Sequence, residues 1–439
     1  MSSKKSTVFS PRYGAVQVLR AIADGAYADG AFQQFWQRQK DGTAWSAADR
    51  ALVMELVYGV TRRRRTLSAL IRQFCQPEGL PLVVQLILQL GVYQLGFSDR
   101  IHPVAAVDSS VSLCKEFGFT GLAGLVNAVL RKMSQVTLTE LVAEFSDWGD
   151  RYSLPDWLVN LWLEQFDRET LQGLGGWVNG TPYIDVRVNR LRGDRQELAR
   201  LLEADPIPHL GDGLRLRSPK GPPSDWPYYQ DGWWSIQDAS AQLAVLLLDP
   251  QPGEWNIDAC AAPGGKTTYM AERMGDRGTI LALDRTAARL RRLQENTQRL
   301  GLTCIEPLAM DCLNYSPSQL CDRLLLDVPC SGLGTLQRHA DARWQQNPTK
   351  IAELVQVQRA ILRHTAAWVK PGGYLVYATC TLNRQENGDM IGEFLADHPQ
   401  WHPELLPQEY ESWAVPYGLE ILPHRDRMDG FFMSKLRRD

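Results

Sequence analysis

A chain of 439 residues is too long for one ordinary hydrophobic core and long enough for two or three domains. With 44% hydrophobic and 22% charged residues, its composition excludes a disordered or fibrous chain. The net charge of −3 is unevenly divided, because residues 1–136 contain 16 Lys and Arg against 9 Asp and Glu, which leaves the remainder at −10. This asymmetry fits a phosphate-binding module joined to a more acidic enzyme, although a solvated surface would give the same count.

Two sequence features limit the location and chemistry of the protein. The richest apolar stretch, residues 80–97, is interrupted by a proline and three glutamines, which predicts a buried helix and not a membrane span. The eight cysteines form no C-x-x-C pair, and no histidines stand at zinc-ligand spacing. We therefore expect a cytoplasmic protein with reduced cysteines, no bound metal and no membrane partner.

The N-terminal part is predicted to be an all-α domain spanning residues 1–136. Ala15, Val18, Leu19 and Ile22 recur at helical spacing, and strand signals are nearly absent. Four consecutive arginines, residues 62–65, lie within one of these helical segments. Clustered guanidinium groups bind RNA phosphates, so this run is a candidate RNA contact, with a solvated helix surface as the alternative.

The remaining sequence predicts two α/β regions. Residues 137–233 become rich in Gly and Pro after a first helical stretch, and residues 184–188 alternate as a strand does, which indicates a small α/β connector. In residues 234–439 strands and helices alternate, which predicts a Rossmann-like parallel sheet. The predicted strands are residues 256–258, 279–284, 305–310, 323–326 and 374–377, with residues 431–433 as an antiparallel edge.

A glycine-rich loop follows the first predicted strand of this sheet. Residues 258–266 read Asp-Ala-Cys-Ala-Ala-Pro-Gly-Gly-Lys, and the paired glycines allow a tight turn and close approach to a ligand. A phosphate-binding P-loop would need a glycine at position 260, where the chain has Cys260. The loop therefore favours a nucleotide-like cofactor over an NTPase site.

Acidic residues end four successive predicted strands. They are Asp258, Asp284, Asp311 and Asp327, and open α/β sheets bind ligands at this edge. Carboxylates would repel the phosphates of a dinucleotide but suit a sulfonium cation attached to an adenosine. The pattern favours S-adenosylmethionine over a nicotinamide cofactor, while simple helix capping would explain one or two of the aspartates.

Two cysteines fall at strand ends on the same predicted edge, Cys330 in Asp-Val-Pro-Cys and Cys380 in Ala-Thr-Cys-Thr. A thiolate can add to C6 of a pyrimidine and make C5 electron-rich enough to accept a methyl group. A lone cysteine is usually a core residue, but a pair beside a methyl-donor site points to this chemistry. Composition and spacing do not establish which of the two attacks.

These motifs together resemble the RNA cytosine-5 methyltransferases, and in particular the bacterial branch that acts on ribosomal RNA. The resemblance spans nearly the whole chain and includes residues 258–266, 327–330, 370–373, 379–380, 422–423 and 429–432. The N-terminal domain is similar to the transcription antitermination factor NusB, at residues 55–59 and 126–131. The resemblance implies a NusB-like domain, a connector and a methyltransferase domain.

The resemblance also implies a role for each site residue. Cys380 would be the nucleophile, as in the RNA enzymes, whereas DNA cytosine-5 methyltransferases use the cysteine of the Pro-Cys motif. Cys330 would assist product release. Independently of the resemblance, Asp327 and Lys266 are candidates for contact with the target base, where a carboxyl group beside N3 or the exocyclic amine would stabilise the adduct by hydrogen bonding. S-adenosylmethionine would be held by Cys260, Ala261, Ala262, Pro263, Gly264, Gly265, Lys266, Asp284, Asp311 and Asp327.

The expected function is transfer of a methyl group from S-adenosylmethionine to C5 of a cytosine in 16S ribosomal RNA by a monomeric enzyme. Contact with RNA is assigned to the basic N-terminal domain, with Arg62, Arg63, Arg64 and Arg65 as its candidates. Two alternatives stay open: a transfer RNA cytosine-5 methyltransferase with the same catalytic residues, and a non-catalytic RNA-binding assembly or antitermination factor.

Overall fold

The computed structural model describes residues 10–39, 45–98, 100–217 and 221–439. The chain forms two compact units. The first comprises Met1–Gly180 together with Arg338–Gln345, and the second comprises Thr181–Gln337 together with Gln346–Asp439. No helix of the described residues has the length and apolar character needed to cross a membrane.

The first unit is helical, as predicted. Several of its α-helices begin at a polar capping residue. Ser46, for example, accepts a hydrogen bond from the Asp49 N–H and forms a capping box with the Asp49 side chain. The apolar faces of the helices up to Ala143 pack into one core. Up to Gly180 the helices are α1 (Pro11–Ala23), α2 (Ala28–Gln39), α3 (Ala47–Arg72), α4 (Leu82–Gly96), α5 (Pro103–Glu116), α6 (Ala123–Met133), α7 (Leu138–Ala143), α8 (Trp148–Tyr152), α9 (Asp156–Gln165) and α10 (Arg168–Trp177).

The helical unit continues past the domain boundary predicted at residue 136, because α7 to α10 belong to it. It also contains the late segment Arg338–Gln345. The buried Arg343 explains this membership, since its guanidinium donates hydrogen bonds to the backbone carbonyls of Ser153 at 3.1 Å and Val178 at 2.9 Å. Burial lowers the pKa of Arg343 to about 9.

The second unit begins with the predicted small α/β connector. Its elements are β1 (Asp185–Val188), α11 (Arg195–Leu201), β2 (Ala204–Pro206), β3 (Gly213–Leu216) and β4 (Trp234–Ile236). The sequence predicts short elements here because the stretch is rich in Gly and Pro. The strands form an antiparallel sheet in the order β2-β3-β1-β4, which packs its apolar side chains around the buried Trp234.

Strands and helices alternate through the rest of the chain, as the sequence predicts for a Rossmann-like domain. The elements are α12 (Ala239–Leu248), β5 (Trp255–Asp258), α13 (Gly265–Arg273), β6 (Thr279–Asp284), α14 (Ala287–Leu300), β7 (Ile305–Ala309), β8 (Cys321–Asp327), α15 (Ala342–Gln345), α16 (Pro348–Ala366), β9 (Val369–Thr379), α17 (Gly388–Asp397), β10 (Trp401–Pro403), β11 (Ala414–Val415), β12 (Gly418–Ile421), α18 (Pro423–Asp426) and β13 (Phe431–Arg438). Of these, α15 lies in the first unit.

The large sheet has the order β11-β12-β13-β9-β8-β5-β6-β7, with β10 paired to β13. Strands β9, β8, β5, β6 and β7 are parallel neighbours. The chain winds outward in one direction through β6 and β7 and in the other through β8 and β9, so β5 stands at the point where the strand order reverses. Ligands bind in open α/β sheets at the carboxyl ends of the strands next to such a point.

The prediction that residues 431–433 form an antiparallel edge is correct in direction but wrong in position. Strand β13 lies inside the sheet, where Phe432 pairs with Thr379 of β9 on one side and with Glu420 of β12 on the other. The sequence signal was limited to three apolar residues, whereas the strand continues to Arg438 and gains its second partner from the short strand β12.

Candidate active site

The loop between β5 and α13 owes its shape to a glycine. Gly264 has φ +107°, in the left-handed region, and a Cβ at this position would lie 2.4 Å from Cδ1 of Leu293 on α14. A side chain at this position is therefore excluded by the turn and by the packing of α14. Ala261 packs into the apolar core of the second unit.

Asp258, at the end of β5, is buried beneath this loop. Its carboxylate accepts a 2.7 Å hydrogen bond from the hydroxyl of Thr267 on α13. Burial raises the pKa of Asp258 to about 7, and the nearby Asp327 adds to this shift. These contacts give Asp258 a role in holding the loop against α13.

Two of the strand-end aspartates also stabilise local turns. Asp311 follows β7 and accepts a hydrogen bond from the Leu313 N–H at 3.0 Å, which caps a short 3-10 helix. Asp284 accepts one from the Thr286 N–H at 2.8 Å and lies 3.5 Å from a guanidinium nitrogen of Arg289. Capping therefore accounts for part of what the sequence attributes to cofactor binding.

A cleft of about 270 Å³ opens at this edge of the sheet. It brings together seven of the predicted site residues, which are Cys260, Ala262, Asp284, Asp311, Asp327, Cys330 and Cys380. The remaining predicted residues of the glycine-rich loop, Ala261, Pro263, Gly264, Gly265 and Lys266, do not line it. Sequence reasoning missed the six lining residues that lie outside its motifs, which are Arg285, Arg289, Cys312, Leu313, Val357 and Ile361.

Cys330 and Cys380 meet in this cleft. Their sulfur atoms are 3.4 Å apart, although 50 positions separate them in the chain. Contact with Cys380 and burial raise the pKa of the Cys330 thiol well above its usual value. Cys330 is therefore expected to stay protonated while its neighbour reacts.

A charged pair lies beside the two thiols. The Lys266 ammonium is 2.7 Å from a carboxylate oxygen of Asp327, and it lies over the Phe431 ring at 5.1 Å. Burial by itself lowers the pKa of Lys266, but the charges of Asp327 and Cys380 outweigh it and raise the pKa overall. The site thus keeps a cation close to Cys380.

A second pair of thiols lines the same cleft. Cys260 and Cys312 are neighbours there, and their interaction raises the pKa of Cys260 and lowers that of Cys312. All eight cysteines of the chain are free thiols. The described residues contain no group of three or more His, Cys, Asp or Glu side chains that could hold a metal ion.

Arg187 ties the connector to the helix that follows the glycine-rich loop, a link that the sequence analysis missed. Its fully buried guanidinium donates hydrogen bonds to both carboxylate oxygens of Glu272, at 2.7 and 2.9 Å, and to the carbonyl of Gly265 at 2.7 Å. Bidentate pairs of this kind fix geometry as well as charge. Arg187 thereby anchors both ends of α13.

Replacing Arg187 with methionine is expected to destabilise the second unit by about 3–5 kcal/mol, because the Glu272 carboxylate is left buried and uncompensated. The midpoint of urea denaturation, followed by fluorescence, measures this loss. The double variant Arg187→Met/Glu272→Met removes both charges and should recover much of it. A single variant as stable as the unmodified protein would contradict the assignment of Arg187 as an anchor.

The four arginines predicted to bind RNA lie on α3 of the first unit, where the helix is kinked at Arg63. Arg65 is engaged within the unit, because its guanidinium pairs with the carboxylates of Asp147, Asp150 and Asp156 at 2.5–2.8 Å. Arg63 and Arg64 lie over the rings of Phe97 and Trp344, at 4.4 and 5.8 Å. Of Arg62, Arg63, Arg64 and Arg65, Arg64 is the one that is exposed.

These ion pairs give Arg65 a structural role within the first unit, which the sequence alone could not show. Three carboxylates around one guanidinium leave it poorly placed to hold a phosphate as well. The assignment of the arginine run to RNA binding stays a prediction, and Arg64 is its most accessible member.

Family models match three parts of the chain. Residues 10–135 match the NusB family, residues 154–221 match the ferredoxin-like domain of RsmF/B-like methyltransferases, and residues 245–437 match the 16S rRNA methyltransferase RsmB/F family. These three matches follow the order of the helical region, the connector and the large sheet.

Similar proteins span nearly the whole chain. A probable ribosomal RNA small subunit methyltransferase B from Synechocystis is 42% identical, covering 98% of this chain and 100% of the relative. One from Bacillus subtilis is 35% identical, covering 90% and 91%. The solved structure of a protein called PH0851 has a TM-score of 0.78 at 24% identity, covers 98% of this chain and 99% of that one, and supports the fold. The chain belongs to the ribosomal RNA small subunit methyltransferase B family, built from a NusB-like helical region, a ferredoxin-like connector and a Rossmann-like methyltransferase domain.

Proposed function

We propose that this protein transfers a methyl group from S-adenosylmethionine to C5 of a cytosine in 16S ribosomal RNA, through a covalent bond between Cys380 and C6 of the base. The observation that carries the proposal is the 3.4 Å contact between Cys330 and Cys380 inside a cleft that carboxylates also line. Cytosine-5 methylation needs one thiol to attack the ring and further groups to release the product. Family membership supports the choice of methyl transfer and of ribosomal RNA.

The chemistry of the cleft fits S-adenosylmethionine. Asp284 ends β6 and retains acceptor capacity for the ribose hydroxyls, while Asp311 and Asp327 supply negative charge that suits a sulfonium cation. Cys260 and Ala262, which lie in the loop before α13, form part of the wall of the cleft. When bound, the cofactor supplies an electrophilic methyl group to the nucleophile.

The residues of the chain perform the remaining steps on the base. The Cys380 thiolate forms a bond to C6, and the electron pair displaced from the C5–C6 double bond makes C5 nucleophilic. After C5 has been methylated, a base removes its proton, the electrons of that C–H bond restore the double bond, and the C6–S bond breaks with its electron pair returning to sulfur. Cys330, in contact with Cys380, assists this release.

Asp327 is proposed to contact the target base as well as the cofactor. Its side chain is about one-third exposed to the cleft and is oriented by the Lys266 ammonium at 2.7 Å. A carboxyl group beside N3 or the exocyclic amine of cytosine can stabilise, by hydrogen bonding, the adduct that forms when sulfur adds to C6. Lys266, held by Asp327 and close to Cys380, contributes a positive charge to the same step.

The variant Asp327→Ala tests this role. We expect kcat to fall by roughly 10²–10³-fold, which is the usual cost of losing one preorganised charge-stabilising group, while part of the cofactor affinity remains. Single-turnover kinetics with RNA measure the first effect, and calorimetric titration with S-adenosylhomocysteine measures the second. Near-normal turnover in this variant would rule out a contact between Asp327 and the reacting base.

The RNA substrate can be tested directly. Because a base inside a duplex cannot reach Cys380, the target cytosine is expected in a loop or in an extruded position. Tritiated methyl transfer should be measured on 16S ribosomal RNA, on transfer RNA and on total RNA, followed by mapping of the modified cytosine. Label in 16S ribosomal RNA supports the proposal. Label in transfer RNA would show that transfer RNA is the substrate, and RNA binding without any methyl incorporation would support a non-catalytic assembly factor.

A further inference from the structure

We propose that Glu386 is a positioning residue that holds the loops of Cys330 and Cys380 at the separation methyl transfer requires. This inference rests on the proposed function, because it assigns Glu386 a part in setting the geometry of the two reacting cysteines. Glu386 lies in a short 3-10 helix between β9 and α17, does not line the cleft and is fully buried. It acts through the residues that flank the cysteines.

The Glu386 carboxylate binds the residue that follows each cysteine. One oxygen accepts a 2.8 Å hydrogen bond from the Ser331 N–H, and the other accepts a 2.5 Å bond from the Ser331 hydroxyl. The hydroxyl of Thr381, which follows Cys380, lies 3.5 Å from the second oxygen and 2.7 Å from the Ser331 hydroxyl. The two cysteine loops are thus joined one residue beyond their sulfur atoms.

The residues that precede the cysteines are held by the neighbours of Glu386. Gln358 on α16 donates to the carbonyl of Pro329 at 2.9 Å and to Glu386, also at 2.9 Å. Asn387 accepts a 2.5 Å hydrogen bond from the hydroxyl of Thr379, and it donates a 3.0 Å bond to the carbonyl of Thr381. Each cysteine is therefore braced on both sides by one polar network.

A carboxylate suits the centre of this network because it has no donor of its own. The two oxygens of Glu386 accept from Ser331, Gln358, Thr381 and Asn383, the last at 3.1 Å. A buried acceptor with this many donors is costly to remove, since each donor then loses its partner inside the protein. Without Glu386 the two cysteine loops would be free to separate, and the distance between the sulfur atoms would increase.

Two substitutions separate positioning from general support of the fold. Glu386→Ala removes the whole acceptor set. Glu386→Gln keeps one oxygen for the Ser331 and Gln358 N–H groups, and its amide N–H groups can donate to the hydroxyls of Ser331 and Thr381, which can rotate to accept. The matched control is Glu393→Gln on α17, where the carboxylate is 44% exposed and pairs with Arg359.

The primary measurement is the rate at which diamide, a thiol oxidant, joins Cys330 and Cys380 in a disulfide, followed by mass spectrometry of the linked peptides. In the unmodified protein the reaction should be fast because the sulfur atoms are already in contact. A displacement of about 1 Å should lower kcat by roughly 10²-fold in Glu386→Ala, with a comparable fall in the oxidation rate. The dissociation constant for S-adenosylhomocysteine should change by less than about threefold, and Glu386→Gln should give intermediate rates.

The outcomes are distinguishable. Unchanged oxidation rates in Glu386→Ala and Glu386→Gln would overturn the inference, as would a loss of cofactor affinity equal to the loss of kcat, which indicates a general structural role. If Glu386→Ala does not fold, Glu386→Gln decides the question by the same two readouts. The oxidation measurement requires no RNA, so it stands even if the unmodified protein methylates none, a result that would refute the proposed function alone.

Discussion

Replacing Cys380 with serine is expected to lower kcat/KM for RNA methylation by at least about 10⁴-fold, because a hydroxyl at neutral pH supplies almost none of the anion that attacks C6. Serine differs from cysteine by one atom, and Cys380 is only partly buried at the cleft, so the fold and the cofactor site should be retained. Methyl incorporation into RNA measures the loss, and titration with S-adenosylhomocysteine checks that the cleft is intact.

Cys312→Ser is the matched control for this variant. Cys312 lines the same cleft but contacts Cys260 and not the pair that is proposed to react. Its loss should leave turnover within about tenfold, since no group that forms or breaks a bond is removed. A Cys380→Ser variant that retained activity close to that of Cys312→Ser would show that another group attacks the base.

Cys330→Ser should give the opposite phenotype, a covalent protein–RNA complex that accumulates. The nucleophile is intact in this variant, so addition to C6 and methylation proceed, but the thiol that assists release is missing. We expect a band of protein carrying RNA that survives denaturing electrophoresis, together with loss of multiple turnover. The unmodified protein should show little of this complex, because it is resolved in each catalytic cycle.

The double variant Cys330→Ser/Cys380→Ser provides the control for the complex. It should form none, because the sulfur that would be bonded to the base is absent. If instead Cys380→Ser accumulated the complex and Cys330→Ser did not, the roles of the two cysteines would be exchanged. The DNA enzymes, which attack with the Pro-Cys cysteine, show that this second outcome is chemically reasonable.

The strands that build the site could be predicted because they carry strong local signals. Predicted residues 279–284 match β6 at both ends, and Asp284 and Asp327 terminate their strands as expected. Parallel strands deliver such residues to one edge of the sheet whatever their separation in the chain. The convergence of the aspartates with Cys330 and Cys380 follows from that rule.

The supporting residues could not be predicted, since their partners are distant in sequence. Arg187 binds a carboxylate 85 positions away, and Glu386 binds Ser331 across 55 positions. A single arginine in a strand or a glutamate after one has no periodic signature, and only the folded chain shows that each is buried. The ion pairs of Arg65 could not be predicted either, because the three aspartates that surround it come from residues 147–156.

The most direct test of the central claim is to identify the atom of the protein that is bonded to RNA. The Cys330→Ser complex should be digested with nuclease and protease and analysed by tandem mass spectrometry. We predict a single modified peptide that contains Cys380 and carries a methylated cytidine nucleotide on its sulfur. A nucleotide attached to any other residue, or an unmodified Cys380 in a protein that actively methylates RNA, would contradict it.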